Sequence, residues 1–239
     1  MKKIKILKFL ADIIYPLKCP ICDNIVYPFG EKICFHCMSK LKYLTSPRCY
    51  TCGKKLLQEE EEFCYDCGKG NHKFINGRSL YEYECIALSI YKFKYGNRRE
   101  YAMFYGEEIV RYLGDYIRGI HPDGLLPVPL HKSRKRKRGY NQASLLAREI
   151  GEQMGIPVYD KLVKRVKNTS PLKQLGSKER QNNLKKAFHI IGNDVKLSTI
   201  VIIDDIYTTG STIDELADTL RSAGVKEIYF ITLASGAGV

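Results

Sequence analysis

The stretch Thr199-Ile-Val-Ile-Ile-Asp-Asp-Ile-Tyr-Thr-Thr-Gly-Ser-Thr212 carries the features that decide the fold. All residues up to Ile203 are β-branched, and such a run predicts a buried strand of a parallel sheet. Asp204 and Asp205 follow, then a loop of hydroxyl residues and one glycine, and a helical pattern begins at Ile213. Backbone N–H groups at a helix N-terminus bind phosphate, and neighbouring carboxylates accept hydrogen bonds from sugar hydroxyls or help to hold magnesium. The stretch therefore predicts a site for a sugar phosphate.

A less specific interpretation of the same stretch is an ordinary strand–turn–helix corner. In that case Ser211 or Thr212 caps the helix, and both acids are simply solvated. Two adjacent acids followed by Thr-Thr-Gly-Ser-Thr form a far more specific pattern than a lone glycine motif. We therefore favour the sugar-phosphate interpretation.

The composition indicates partners that are rich in phosphate. The chain has 239 residues, enough for one α/β domain and a small additional module. Lys and Arg outnumber Asp and Glu by 39 to 26, for a formal net charge of +13. Such a surplus of cations is typical of proteins that bind nucleic acid or pyrophosphate. No stretch is long and apolar enough to cross a bilayer, so we expect no stable membrane insertion.

Residues 1–18 are both basic and apolar, as in a signal peptide. Lys5, Lys8 and Asp12 interrupt the apolar positions, however, and no small-residue cleavage site follows. The pattern instead predicts an amphipathic helix over residues 1–18 that packs on the rest of the protein, with contact to a membrane surface as the alternative. We expect a cytoplasmic protein.

Eight of the nine cysteines form four Cys-x-x-Cys pairs, and the first cysteine of each pair recurs every fifteen residues. Zinc prefers four thiolates in a tetrahedron, and the two-residue spacer lets one turn present two sulfurs to one ion. We therefore predict a double zinc ribbon over residues 19–72 with two structural Zn²⁺ ions. The predicted ligands are Cys19, Cys22, Cys34, Cys37, Cys49, Cys52, Cys64 and Cys67.

The spacing favours sequential pairing, in which the first two pairs share one ion and the last two pairs share the other. Interleaved pairing, with the first and third pairs on one ion, remains the alternative. Disulfides suit a secreted chain better than this one, and four thiolates also suit an iron–sulfur cluster, so both stay as competing interpretations.

Residues 73–239 alternate between strand and helix patterns, which predicts an α/β domain with a parallel sheet flanked by helices. We predict one or two strands over Tyr81 to Lys94, with Cys85 buried in a strand. A helix is predicted over Arg98 to Arg118, and a strand over Leu125 to Leu130.

The most basic segment follows this last strand and precedes a predicted helix over Ala143 to Met154. Loops at the carboxyl ends of parallel strands build the ligand site of such a sheet, so we expect these cations to contact pyrophosphate or DNA. The alternative is a solvated basic loop. The candidate contacts are Lys132, Arg134, Lys135, Arg136, Lys137, Arg138, Asn141 and Gln142.

A polar, basic stretch from Asn168 to Lys186 lies between two strand patterns. Its nineteen residues exceed an ordinary connection, and this length is typical of a mobile lid over an active site.

The stretch from Val201 to Thr212 resembles the phosphoribosyl pyrophosphate (PRPP) signature of type I phosphoribosyltransferases. This resemblance implies that Asp204 and Asp205 face the ribose hydroxyls of PRPP, which binds together with Mg²⁺. It also implies that one loop wraps the 5′-phosphate. The residues of this loop are Thr208, Thr209, Gly210, Ser211 and Thr212.

Taken together, the motifs resemble the ComF (competence protein F) family, which joins a double zinc ribbon to a phosphoribosyltransferase-like domain. The resemblance rests on Cys19-Pro-Ile-Cys22, Leu126-Pro-Val-Pro129, Arg138-Gly-Tyr-Asn-Gln142, Leu146-Ala-Arg148, Gln174, Arg180, Asn183 and Val201 to Thr212. The family implies a role in natural transformation, in which the protein handles incoming single-stranded DNA. It also implies a helicase or another uptake protein as a partner.

Two functions of different classes follow. In the first, the protein is an adaptor that binds single-stranded DNA and a ribose-phosphate ligand. In the second, it is an active phosphoribosyltransferase that transfers the phosphoribosyl group of PRPP to an unknown acceptor in nucleotide metabolism. The candidate catalytic residues are Asp204 and Asp205, which fix the ribose, and the lid-side cations Arg165, Lys167 and Arg180.

Overall fold

A four-stranded, fully parallel sheet lies at the centre of the chain, in the order β1-β6-β5-β2. The computed structural model describes residues 16–28, 30–70, 72–167, 187–191 and 196–236. A separate antiparallel pair consists of β3 and β4. The strands are β1 (Asn76–Glu82), β2 (Gly124–Pro127), β3 (Val163–Arg165), β4 (Phe188–Ile190), β5 (Thr199–Tyr207) and β6 (Glu227–Ser235). The predicted parallel sheet is therefore confirmed.

Helices cover both faces of this sheet. The described helices are α1 (Phe35–Met38), α2 (Tyr65–Lys69), α3 (Tyr83–Tyr95), α4 (Tyr101–Ile120), α5 (Lys132–Arg138), α6 (Gln142–Met154) and α7 (Ser211–Arg221). Apolar side chains of α3, α4 and α6 pack on one face, and those of α7 pack on the other. Two layers of helices around a parallel sheet are what a run of apolar strand residues requires.

Strand β5 shows why the sequence is apolar at successive positions. Val201 and Ile203 point into the core beneath α3, α4 and α6, whereas Ile200 and Ile202 point into the core beneath α7. All four side chains are fully buried. Because neighbouring residues of a strand face opposite sides, a strand covered on both faces needs apolar residues throughout.

The two cysteine-rich ribbons attach to opposite sides of the sheet. Cys19, Cys34 and Cys37 belong to the core on the α4 side, and Cys49, Cys52 and Cys64 belong to the core on the α7 side. Backbone hydrogen bonds fix both ribbons to β1. Leu44 N–H donates to the Leu80 carbonyl, and Gly77 N–H donates to the Thr51 carbonyl, each over 2.9 Å.

The strand prediction for Tyr81 to Lys94 is wrong beyond Glu82, because helix α3 begins at Tyr83. The buried residues of α3 are Ile86, Ser89, Ile90 and Phe93, and their spacing of three and four is helical. Alternating tyrosines and aliphatic residues hid this period in the sequence. The predicted strand position of Cys85 is wrong for the same reason, since Cys85 is a half-buried helical residue.

The basic segment also differs from the predicted loop. Lys132–Arg138 forms helix α5, whose first turn is capped by the His131 side chain accepting from Ser133 N–H. The helix ends at Gly139 in the left-handed conformation, with φ of 79°.

Two other predicted segments fall partly or wholly outside the described residues. The amphipathic helix over residues 1–18 lies there except for its last three positions, and so does the lid from Asn168 to Lys186 with Arg180. The domain limits at residues 18 and 72 stay predictions. Within the described residues, no helix is long and apolar enough to span a membrane.

Candidate functional site

The prediction that the strand ends at the two acids is wrong, because β5 continues through Asp204 and Asp205 to Tyr207. The two acids lie near its carboxyl end and point to opposite faces of the sheet. Asp205 lies two residues after Ile203, so both side chains are on the face of the sheet that helix α3 covers. There, Lys94 Nζ lies 2.8 Å from Asp205 Oδ1. Asp204 faces the other side, and its Oδ1 accepts a 2.8 Å hydrogen bond from the Asp205 N–H. Asp205 is only 9% exposed, so the charge of Lys94 stabilises a carboxylate that has little access to water.

Asp204 has a strongly altered affinity for protons. Burial, followed by the negative charge of Asp205, raises the pKa of Asp204 to about 7, and the charges of Lys94 and Arg165 oppose this rise. Burial and the charge of Arg134 in turn lower the pKa of Arg165 to about 10. The charges of Arg165 and Asp204 thus influence each other, and the catalytic role of Arg165 stays a prediction.

The two remaining candidate cations are Lys167 and Arg180. Lys167 is exposed and follows β3 by two residues, and Arg180 lies outside the described part of the chain. Their catalytic roles stay predictions.

The predicted phosphate loop connects β5 to α7. Gly210 is the N-cap residue of α7, with φ of 80°, and no described side chain caps this helix. The first N–H groups of a helix have no partner within the helix, so they are donors for an anion. Thr209 Oγ1 and Ser211 Oγ lie 2.8 Å apart beside them, and Thr208 is exposed at the mouth of the loop. Thr208, Thr209 and Gly210 therefore form the loop, whereas Ser211 and Thr212 are the first residues of α7, and all five lie at the carboxyl end of a central strand.

Helix α5 brings its cations to the same edge of the sheet, because it follows the neighbouring strand β2. Lys132, Lys135, Arg136 and Lys137 are exposed, as expected for contacts with phosphate. Arg138 is partly buried and donates to Gln142 Oε1 over 3.0 Å and to the Tyr95 hydroxyl over 2.9 Å.

Asn141 and Gln142 contact protein groups. The Asn141 amide donates to the Val128 carbonyl over 2.9 Å, and the buried Gln142 amide donates to the Phe93 carbonyl over 3.1 Å. These bonds hold the connection between α5 and α6 against α3 and β2. A direct contact of either residue with a ligand stays a prediction.

A wide cleft between α3 and α5, about 840 Å³ in volume, is lined in part by Lys94, the ion-pair partner of Asp205. Arg138 lies over the Tyr95 ring, 4.7 Å from its centre, and the rings of Tyr91 and Tyr95 are 5.2 Å apart. Both tyrosines are more than half exposed. The lining residues are Tyr91, Lys94, Tyr95, Asn97, Arg99, Arg136, Lys137, Arg138 and Gly139. The cleft thus combines aromatic faces with cations.

Sequence reasoning missed Tyr91, Lys94 and Tyr95 as site residues. Their spacing of three and four places them on one face of a helix, which was the available signal. The strand predicted over Tyr81 to Lys94 instead placed Tyr91 and Lys94 on opposite faces, because strand residues alternate between faces, and it left Tyr95 outside the element.

The cysteines form two separate clusters of four, one with Cys19, Cys22, Cys34 and Cys37, the other with Cys49, Cys52, Cys64 and Cys67. All four sulfurs of each cluster lie within 4.8 Å of one another. This compactness fits a tetrahedral ion with Zn–S bonds of about 2.3 Å. Sulfur separations of 3.5 and 3.9 Å between neighbouring pairs exceed a disulfide bond of about 2.05 Å.

Sequential pairing is therefore what the fold supports, and each cluster has the donor set of a structural zinc site. In such sites the metal contributes directly to the folding free energy of a module with little core of its own.

Comparison with known families gives the same two modules. The family model of the double zinc ribbon domain matches residues 10–68, and that of the phosphoribosyl transferase domain matches residues 136–238. The sheet order, the acidic strand end and the cysteine clusters together define a phosphoribosyltransferase-type protein with an N-terminal double zinc ribbon.

Similar proteins narrow this class to a family. The chain is 41% identical over 115 residues to Competence protein F of Haemophilus influenzae (strain Rd), covering 47% of this chain and 50% of that protein. It is 34% identical over 107 residues to DNA utilization protein YhgH of Escherichia coli K12, covering 45% and 47%. The matches thus span about half the length of these relatives.

A longer match is to Competence protein ComFC of Bacillus subtilis 168, 29% identical over 232 residues, covering 88% of this chain and 91% of that protein. Together, the two domain models and these homologues support an assignment to the ComF family.

The raised pKa of Asp204 predicts a dependence of stability on pH. The unfolded state loses its Asp204 proton near pH 4, and the folded state loses it near pH 7, so this group makes the protein less stable as pH rises through that window. We expect Asp204→Asn to remove this loss of folding stability at higher pH. Its melting temperature should exceed that of the wild type by several degrees at pH 8, since about 1 kcal/mol corresponds to roughly 2–4 °C in a chain of this size.

The measurement is thermal unfolding of both proteins at pH 5 and pH 8. Asp218→Asn, which changes an exposed carboxylate of α7, is the matched control and should show no such divergence. A melting-temperature difference between Asp204→Asn and wild type that does not grow with pH contradicts the assignment.

Proposed function

We propose that this protein acts in DNA uptake during natural transformation, where it binds PRPP at the end of β5 and single-stranded DNA in the cleft between α3 and α5. The supporting observation is that the open N–H groups at the start of α7 and the cations of α5, both suited to phosphate, lie at the same edge of the sheet. The Lys94–Asp205 ion pair joins them, because Lys94 also lines the cleft. The names of similar proteins, which refer to competence and DNA utilization, support the biological context.

At the strand end, the chain offers complementary groups for each part of PRPP. Asp204 and Asp205 accept hydrogen bonds from the ribose hydroxyls, and the open N–H groups of α7 bind the 5′-phosphate. Carboxylate and phosphate oxygens are the ligands that Mg²⁺ prefers, so the metal that accompanies PRPP suits this donor set. Arg165 and the cations of α5 face the pyrophosphate.

In the cleft, the groups suit a single strand without base-specific contacts. Bases stack on the exposed rings of Tyr91 and Tyr95, and phosphates lie along Arg136, Lys137 and Arg138. A helicase of the same uptake pathway is the proposed protein partner, and the proposed compartment is the cytoplasm.

A second candidate function is phosphoribosyl transfer to an unknown acceptor. The favouring observation is that Arg165 is a buried cation whose charge interacts with that of Asp204. In this reaction an acceptor nucleophile forms a bond to the anomeric carbon, and the carbon–oxygen bond to pyrophosphate breaks, with both electrons leaving on pyrophosphate. Arg165 stabilises the charge that develops on the leaving group.

The PRPP proposal is tested by calorimetry with Mg²⁺ present. We expect saturable binding by the wild type and a loss of more than about 100-fold in affinity for Asp204→Asn/Asp205→Asn, because two charge-assisted hydrogen bonds contribute roughly 1.5–3 kcal/mol each. Asp218→Asn should bind as the wild type does. No heat of binding with correctly folded wild type refutes the proposal, and release of pyrophosphate with added DNA would favour the transferase.

The DNA proposal is tested by fluorescence anisotropy with a labelled oligothymidine. With three phosphate contacts, affinity should fall about 20-fold between 50 and 200 mM salt. Tyr91→Ala should lose about tenfold from one stacked base. Tyr112 is a half-exposed tyrosine of α4 outside the cleft, and Tyr112→Ala should lose nothing. Affinity that is independent of salt, or equal losses in both variants, argues against the cleft.

A further inference from the structure

The second ribbon, defined here as residues 47–70, contacts Tyr207, the residue before the phosphate loop, through a buried lysine. Lys54 is only 6% exposed, and its ammonium lies 2.9 Å from Asp66, which stands between two of the zinc ligands. The same ammonium lies 5.7 Å from the centre of the Tyr207 ring. Tyr207 in turn stacks on Phe230 at 4.6 Å, with the ring planes 3° apart. The ribbon and the last residue of β5 therefore form one packed unit.

The segment that leaves the second ribbon also holds helix α7. His72 Nδ1 lies 2.8 Å from Asp214 Oδ2, and the Lys73 N–H donates to Asp214 Oδ1 over 2.8 Å. At the other end of the helix, Arg221 Nε donates to the Lys73 carbonyl over 2.7 Å. Both oxygens of a carboxylate in the first turn of α7 are thus fixed by residues that directly follow the ribbon.

These contacts meet at Gly210. A Cβ atom on Gly210 would lie 2.6 Å from Tyr207 Oη and 3.1 Å from His72 Cε1, so the loop backbone rests directly on both side chains. Gly210 also has φ of 80°, which favours glycine. Tyr207 Oη and His72 Nε2 are buried, and neither has a hydrogen-bond partner among the described residues. Ring packing, rather than hydrogen bonding of these two atoms, sets the position of the loop.

The first ribbon makes its contacts elsewhere. Its Asp23 accepts hydrogen bonds from Arg98 Nε over 2.8 Å and from the Tyr101 hydroxyl over 2.8 Å, and Lys92 lies 3.0 Å away. All three partners belong to α3, α4 or the turn between them. Among the described residues, the core beneath α7 includes cysteines of the second ribbon and none of the first.

We infer that the second zinc ribbon positions the phosphate loop, with Lys54, His72 and Asp214 as positioning residues, so that zinc in this ribbon sets the affinity of the loop for a ribose 5-phosphate group. The inference deepens the proposed function and rests on it for the identity of the ligand. The first zinc ribbon has no such effect, although it also stabilises the fold.

The experiment compares two carboxylates that each join a ribbon to the helical layers. Asp214→Asn and His72→Ala weaken the contact between α7 and the segment that directly follows the second ribbon, and Asp23→Asn weakens the contact of the first ribbon with α3 and α4. Each purified variant is first checked for two zinc ions per chain. Two readouts follow, namely calorimetry with ribose 5-phosphate and hydrogen–deuterium exchange of the peptide that covers Tyr207 to Ile213.

For His72→Ala and Asp214→Asn we expect about tenfold weaker binding of ribose 5-phosphate and about tenfold faster exchange in that peptide. For Asp23→Asn we expect both quantities within twofold of the wild type. Among single-site zinc variants that fold, Cys67→Ser should accelerate exchange of the same peptide, and Cys37→Ser should not.

The inference is overturned if this peptide exchanges at the wild-type rate in His72→Ala and Asp214→Asn. It is also overturned if Asp23→Asn accelerates exchange of the peptide as much as they do. Because exchange is measured without ligand, it decides the inference even if the wild type does not bind ribose 5-phosphate. Failure of the wild type to bind ribose 5-phosphate would refute the proposed PRPP site instead.

Discussion

Two adjacent carboxylates near the carboxyl end of a strand that is buried on both faces are the constraint on which the site depends. An unpaired buried carboxylate is costly, so each acid needs a cation or a proton. Asp205 obtains a cation from Lys94, and Asp204, beside Arg165, obtains part of its compensation from a raised pKa. A ligand with hydroxyl donors and a bound metal would satisfy the same oxygens.

The surrounding fold follows from this arrangement. The sheet must be covered on both faces to bury β5, and the two covering layers supply the two cations, Lys94 from α3 and Arg165 from β3. The same coverage gives each zinc ribbon its own face of the sheet. One ribbon supports α4, and the other reaches the phosphate loop, so the duplicated module has two different neighbours.

Much of this architecture is predictable from local patterns. The β-branched run, the two acids and the start of α7 are contiguous, and the cysteine pairs carry their metal chemistry in their spacing. Helix α3 was missed because aromatic and aliphatic residues occupy both its buried and its exposed positions, which weakens the helical period. The contacts of Lys94 with Asp205 and of His72 with Asp214 join residues more than a hundred positions apart, and no local pattern encodes them.

The central claim is that the end of β5 is a ribose-phosphate site, and the most direct measurement is a crystal structure with PRPP and Mg²⁺. The account predicts the ribose hydroxyls within hydrogen-bond distance of Asp204 and Asp205, with the 5′-phosphate on the N–H groups of Gly210 to Thr212. It further predicts that Lys94 leaves Asp205 or shares it with the ligand. Density for PRPP only in the cleft between α3 and α5, with an unchanged strand end, would contradict the account.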